Sequence, residues 1–194
     1  MTNDELFAAR TNPDFLKFLE EARVNSIKTK NIALMYETLD SMLILDLDEN
    51  KINELYQEIL KEAFLSVEKI LEEDKKLNLE NNNLLYTRAL YEHAIEKWTN
   101  DNLEGAKELF FVIANLVEDE RFQKDLNALL IFLAKNISFD EFFDKYIGSS
   151  VNSDEQYGYF ISDFNFDLDI FLKENKKILS DEYKNLQHLI KGRD

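Results

Sequence analysis

Apolar residues recur at spacings of three and four along nearly the whole chain, which is the period of one face of an α-helix. Ile32, Met35, Tyr36, Leu39, Met42 and Leu43 form one such stripe and predict a helix from Lys30 to Leu45. Ile52, Leu55, Ile59, Ala63, Phe64, Val67, Ile70 and Leu71 form the longest stripe. Phe15, Leu16, Phe18, Leu19 and Ala22 form a shorter one, with a break expected over Asn25–Thr29. Later stripes are Leu103, Ala106, Phe110, Ile113 and Val117, then Phe122, Leu126, Leu129, Leu130 and Leu133.

Polar residues mark the ends of these stripes. Thr2-Asn3-Asp4-Glu5, Ser138-x-x-Glu141 and Ser153-x-x-Gln156 each read as a capping box, a hydroxyl at the N-cap and an acid or amide three residues on. Asn12 before Pro13 puts a cap ahead of a proline at the first helical position. Asn83 reads as the cap of a helix from Leu84 to Trp98, and Asp101 with Glu104 as the cap of the next. Gly148 is expected to close the helix of Phe139, Phe142, Phe143 and Tyr146. Tyr157, Phe160, Ile161 and Phe164 predict one more helix, Asn165 or Asp167 opens another, and Ser180 or Asp181 the last. Lys75–Asn83 lacks an apolar period and reads as a linker. The expectation is an all-α fold, a multi-helix antiparallel bundle or short irregular α-α superhelix of about ten helices. Residues 1–80 would form an N-terminal lobe and 81–194 a second, aromatic-rich lobe, or both one continuous domain.

Composition supports the helical reading. Four Gly and one Pro in 194 residues are too few for the many tight turns of a sheet protein. Fifteen Phe and eight Tyr supply large side chains for a core. The net charge of −16 disfavours nucleic acid and anionic membrane surfaces, which would repel it. The absence of cysteine excludes disulfides and thiolate chemistry. Met1–Glu5 lacks an apolar signal core, and the apolar run Ala128–Ala134 is too short to span a bilayer, so a cytoplasmic protein is expected.

Chemical signatures are sparse. Asp46-x-Asp48-x-Asn50 begins like a calcium loop, but Lys51 and Gln57 stand where glycine and the bidentate glutamate belong. His93 and Glu96 share a helix face, yet in the reverse order of the Glu-x-x-His motif of di-iron bundles and without a second copy. There is no glycine-rich phosphate loop and no Gly-x-Ser-x-Gly. No catalytic residue, cofactor or metal site is assigned.

Ala94 and Ala106 lie twelve residues apart across the polar break Thr99–Asn102, and Phe110 follows four residues later. Small residues at that spacing let two helices approach closely while the aromatic fills their seam. In this frame the stretch Leu90–Glu118 resembles one tetratricopeptide (TPR) repeat, with Leu103 at a position that is often bulky. His93, Lys97 and Glu118 depart from the usual leucine, tyrosine and proline, and no second repeat follows at the period of 34. The resemblance implies a helical hairpin that binds a protein segment, as in adaptors and chaperone-like proteins, around Tyr91, Ala94, Lys97 and Trp98.

The segment Phe139–Phe171 alternates acids with aromatics and adds Tyr157 and Tyr159 as candidate contacts, one of the two facing solvent. The expected partner is a protein or peptide, basic or amphipathic, with no nucleic acid and no membrane. A carboxylate- or metal-dependent enzyme and an acidic nucleic-acid mimic are the alternative readings.

Overall fold

The computed structural model describes residues 2–148 and 157–191. The protein is all-α, with eleven helices and no strand among the described residues. They are α1 (Asn3–Thr11), α2 (Pro13–Thr29), α3 (Ile32–Ile44), α4 (Glu49–Glu72), α5 (Asn81–Thr99), α6 (Leu103–Leu116), α7 (Glu120–Ala134), α8 (Phe139–Tyr146), α9 (Leu168–Glu174), α10 (Lys176–Leu186) and α11 (His188–Lys191).

The chain divides into two compact units, residues 1–69 and 70–194. The border falls before the Lys75–Asn83 stretch because that stretch belongs to the second unit. The Leu77 amide donates to the Leu116 carbonyl at 2.8 Å and the Glu118 amide to the Leu77 carbonyl at 2.9 Å, a single parallel bridge. Leu77 and Leu79 are both buried, so the expected linker is a pinned segment.

Local chemistry explains most helix ends. Thr2 and Glu5 make the reciprocal capping box, and Asn12 accepts from the Asp14 and Phe15 amides ahead of α2. Ser138, Asp119 and Asp167 cap α8, α7 and α9. Asn102, rather than Asp101, caps α6 by accepting from the Gly105 amide. Asp101 instead lies at φ 58°. It is one of five non-glycine residues, with Lys30, Asp46, Asp74 and Asn136, that close a helix at positive φ. A chain with four glycines takes the left-handed closing conformation with Asn, Asp and one Lys.

Several expectations fail for identifiable reasons. α2 runs unbroken through Asn25–Thr29, and the Ser26 and Thr29 hydroxyls are accommodated within it by donating to the carbonyls of Arg23 and Asn25. α10 likewise runs through Ser180 and Asp181. Asn83 does not cap α5; its amide reaches the Asn78 side chain. Ser153–Gln156 lie outside the described residues, and Tyr157–Phe164 is not a helix. It is a turn followed by extended chain, and Phe164 bridges Ile147. Gly148 does not close α8 with a positive φ. A side chain there would collide with the Asp163 carboxylate, and the Gly148 amide donates to the Asp163 carbonyl at 2.9 Å.

In the first unit α2 and α3 pack across the turn Lys30–Asn31. Arg23 to Glu54, Lys51 to Glu20 and Lys30 to Glu62 link α2 and its capping residue to α4. In the second unit α5, α6 and α7 pack in succession, with α9 and α10 against α7. Phe110, Phe111, Phe122, Phe132, Phe142 and Trp98 are completely buried there.

Candidate functional site

Two places combine features that a packed core alone does not require. The first lies among α5, α6, α7 and residues 157–161. Tyr91 and Trp98 sit seven residues apart on one face of α5, with Ala94 between them. Phe110 of α6 meets both rings edge-on, with centroids at 5.5 Å and 6.3 Å, and Ala94 and Ala106 are fully buried. The Trp98 Nε1–H donates to the Ile137 carbonyl at 3.0 Å, and its ring stacks on Phe142 at 4.7 Å.

The six residues singled out from the sequence fall into two groups. Tyr91, Ala94, Trp98 and Tyr157 are buried and build this interior. Lys97 is half-buried, and Tyr159 is 42% exposed. The structure thus brings Tyr91, Ala94 and Trp98 together around Phe110, while Tyr157 and Tyr159 belong to the segment lying over α5 and α7. One tyrosine of that pair does face solvent.

Above Phe110 the cluster continues into residues 157–161. Phe160 packs on Phe122 at 4.2 Å and on Tyr91 at 5.1 Å. The Ile161 amide donates to the Tyr91 hydroxyl at 3.0 Å. The Tyr157 hydroxyl donates to Asp119 Oδ2 at 2.7 Å. Arg121 lies over the Tyr157 ring at 4.1 Å, and Arg88, ion-paired with Glu92, over the Tyr159 ring at 4.3 Å.

On α7, three residues after Phe122, stands Asp125. It is 2% exposed, and its Oδ2 has no hydrogen-bond partner among the described residues. Burial pushes its carboxyl up to about 7; Arg121 opposes the shift and Asp119 adds to it. Burial also raises the Tyr91 hydroxyl, with the Asp125 charge adding to the rise. Asp125 was recognisable in the sequence. It stands three residues after Phe122 and four before Leu129, so helical spacing places a carboxylate on the apolar face of α7.

The second place is in the first unit. Leu16 and Leu19 of α2, Met42 of α3, and Leu47 line an apolar hollow of about 210 Å³, bordered by Glu20, Asp48 and Lys51. Glu20 is held down to about 2, first by its hydrogen bond to Arg23 and then by Lys51, against the opposing effect of burial. The same helices hold Phe18 (64%), Leu43 (53%) and Ile44 (57%) out in solvent. The periodicity of α2 and α3 placed Phe18 and Leu43 on the buried stripes. A stripe wider than the neighbouring helices can cover leaves its margins exposed.

Asp46 pairs with Arg10, and Asp48 accepts from the Asn50 amide. His93 Nδ1 meets Glu96 Oε2 at 2.8 Å. No group of three metal-ligating side chains occurs among the described residues, and no described helix is long and apolar enough to cross a membrane. No protein-family model matches the chain, and no curated protein sequence or solved structure shows significant similarity to it.

Proposed function

We propose that this chain is a helical protein-interaction module, adaptor or chaperone-like. It would take an amphipathic peptide segment, with basic residues beside its apolar face, onto α2 and α3. One observation carries the reading: the helices that line the apolar hollow also hold Phe18, Leu43 and Ile44 in water. Burying one such side chain is worth about 1.5–3 kcal/mol, so leaving three of them exposed forgoes stability that a partner would supply. An apolar helix face laid into such a hollow is a recurrent mode of peptide recognition. The charge of the partner follows from residues 1–69, which hold fourteen Asp and Glu against eight Lys and Arg. The TPR-like spacing of Ala94, Ala106 and Phe110 points to the same class of function.

The test is site-specific photo-crosslinking in the native cell from positions 18 and 43, with exposed Glu108 as control. The same protein should be captured from 18 and 43 and not from 108. Phe18→Glu should weaken binding of the captured segment at least tenfold while leaving helicity unchanged. Absence of adducts, or adducts only between copies of this chain, would refute the reading.

A second reading, a carboxylate-dependent enzyme, has one observation in its favour. Burial raises the Asp125 carboxyl to about 7, the range in which a general base works best. Under that reading Asp125→Asn abolishes turnover and Phe18→Glu leaves it intact.

A further inference from the structure

The short helix α8 carries a combination that its own packing does not require. Its inner side is anchored: Phe142 is completely buried and stacks on Trp98, and Phe139 meets Trp98 edge-on at 5.5 Å. Phe143 is left outside. It is 55% exposed, and its aromatic neighbour among the described residues is Phe139, at 6.0 Å between centroids. Asp140 precedes Phe143 by three residues and Asp144 by four, so both are its neighbours on the helix surface and border the exposed ring. Both acids are exposed, and neither has an ion pair or a side-chain hydrogen bond among the described residues. Lys145 feels the Asp144 charge but is paired with Glu141 at 2.9 Å.

Three choices on this face work against the helix taken alone. An exposed phenylalanine forgoes burial, like charges four residues apart repel, and a carboxylate in the last turn opposes the helix dipole. A cation laid over the ring would offset both charge effects and cover part of the apolar surface.

The second unit also shows the kind of cation that suits such a place. Arg88, ion-paired with Glu92, lies over the Tyr159 ring at 4.3 Å, and Arg121 lies over the Tyr157 ring at 4.1 Å. The Tyr157 hydroxyl is bonded to Asp119, the N-cap of the helix that carries Arg121. In both, a guanidinium covers an aromatic ring with a carboxylate close by. On α8 the ring and the carboxylates are present, and no arginine or lysine of the described residues lies over Phe143.

We propose that α8 is a docking surface for an arginine-bearing segment of a partner protein, whose guanidinium stacks on Phe143 and pairs with Asp140 and Asp144.

Arginine fits this surface better than lysine. A planar guanidinium can lie on the ring while its edge N–H groups donate to the acids beside it, and it gives up its hydration more readily than an ammonium. The platform is firm, because Phe139 backs Phe143 and packs on Trp98, whose indole N–H is fixed to the Ile137 carbonyl. A ring already held in place loses little freedom on binding. The net charge of −16 steers a basic segment towards the chain. The surface uses residues of the second unit alone and stands whether or not α2 and α3 bind a peptide.

The test is selection of random phage-displayed peptides on the full chain and, in parallel, on Phe143→Leu, which keeps an apolar side chain but removes the ring. Circular dichroism and Trp98 fluorescence should show the variant folded; should it not fold, Asp140→Asn with Asp144→Asn serves in its place. Peptides captured by the unaltered chain and lost on the variant should be enriched in arginine. A synthetic peptide from that set should bind about tenfold or more weakly to the double Asn variant. Replacing its arginine by lysine should weaken binding about fivefold or more. A selection in which nothing depends on the variant position overturns the proposal, as does a dependent set without arginine or a lysine replacement without effect. So does a dimer in sedimentation velocity that Phe143→Leu dissociates, since a second copy of this chain would then cover the face.

Discussion

Removing the Phe110 ring tests the packing at the seam between α5 and α6. Phe110 is completely buried and meets Tyr91 and Trp98 edge-on. Truncating a buried Phe to Ala costs about 3–5 kcal/mol through lost transfer energy and the cavity left behind. Each edge-on aromatic pair is worth a further 0.5–1.5 kcal/mol or so. The terms overlap, so the expected loss for Phe110→Ala is about 4–6 kcal/mol. Ala94 cannot relax into the space, because it has no side chain beyond Cβ. Phe110→Leu keeps much of the volume but loses both ring pairs, and should cost about 1–3 kcal/mol.

The assay is urea unfolding followed by tryptophan fluorescence. Trp98 is the only tryptophan, and it is buried in the second unit, so its signal reports that unit alone. This matters because two units need not unfold in one step. For a urea slope of roughly 2 kcal/mol per M, Phe110→Ala should lower the midpoint by about 2 M or more. A loss below about 2 kcal/mol would refute the claim that the ring fills a seam the alanines cannot close.

Other consequences are measurable in the same way. Glu20→Gln removes a carboxylate whose folded value is depressed, so its contribution is present above about 4.5 and lost as pH falls towards 2. Since Glu20 is 39% exposed, solvent screening limits the loss to about 1 kcal/mol at pH 7, and 1 M salt should reduce it further. Acid titration of the unaltered and variant proteins should converge below pH 3; parallel curves would refute the assignment. Leu77→Ala truncates a buried leucine outside any helix and should cost about 2–5 kcal/mol by the Trp98 signal, whereas a linker residue would cost nothing measurable.

Much of the fold was legible because caps and helical periods are local signals. Thr2 with Glu5 and Asn12 with Pro13 do in space what their spacing predicts, while Ser138 caps α8 through the Glu141 amide but the Glu141 carboxylate pairs with Lys145 instead of completing the box. Misread segments are those where a local pattern serves a non-local purpose. The aromatics from Tyr157 to Phe164 carry helix-like spacing, yet each is used by chain that crosses other helices. Lys75–Glu80 lacked a helical period but does alternate, with Leu77 and Leu79 inward, the period of an extended segment. The candidate sites were legible only in part. Tyr91, Ala94 and Trp98 were recognisable as one cluster but belong to the interior. Asp125 carried its own signal, an acid on an apolar stripe. Exposure of Phe18, Leu43 and Ile44 depends on how neighbouring helices are placed, which no local pattern encodes.

The bridge between Leu77 and Val117 also bears on the order in which the second unit assembles. It ties the residues just before α5 to those just after α6, and so closes a loop around the whole α5–α6 hairpin. Closing that loop in an unstructured chain carries an entropy cost that grows with its length, whereas a preformed hairpin brings the two ends together beforehand. The clasp therefore belongs late on the folding route. Weakening it with Leu77→Ala should accelerate unfolding and leave the refolding rate almost unchanged in stopped-flow fluorescence; slowed refolding would instead put the clasp in the nucleus.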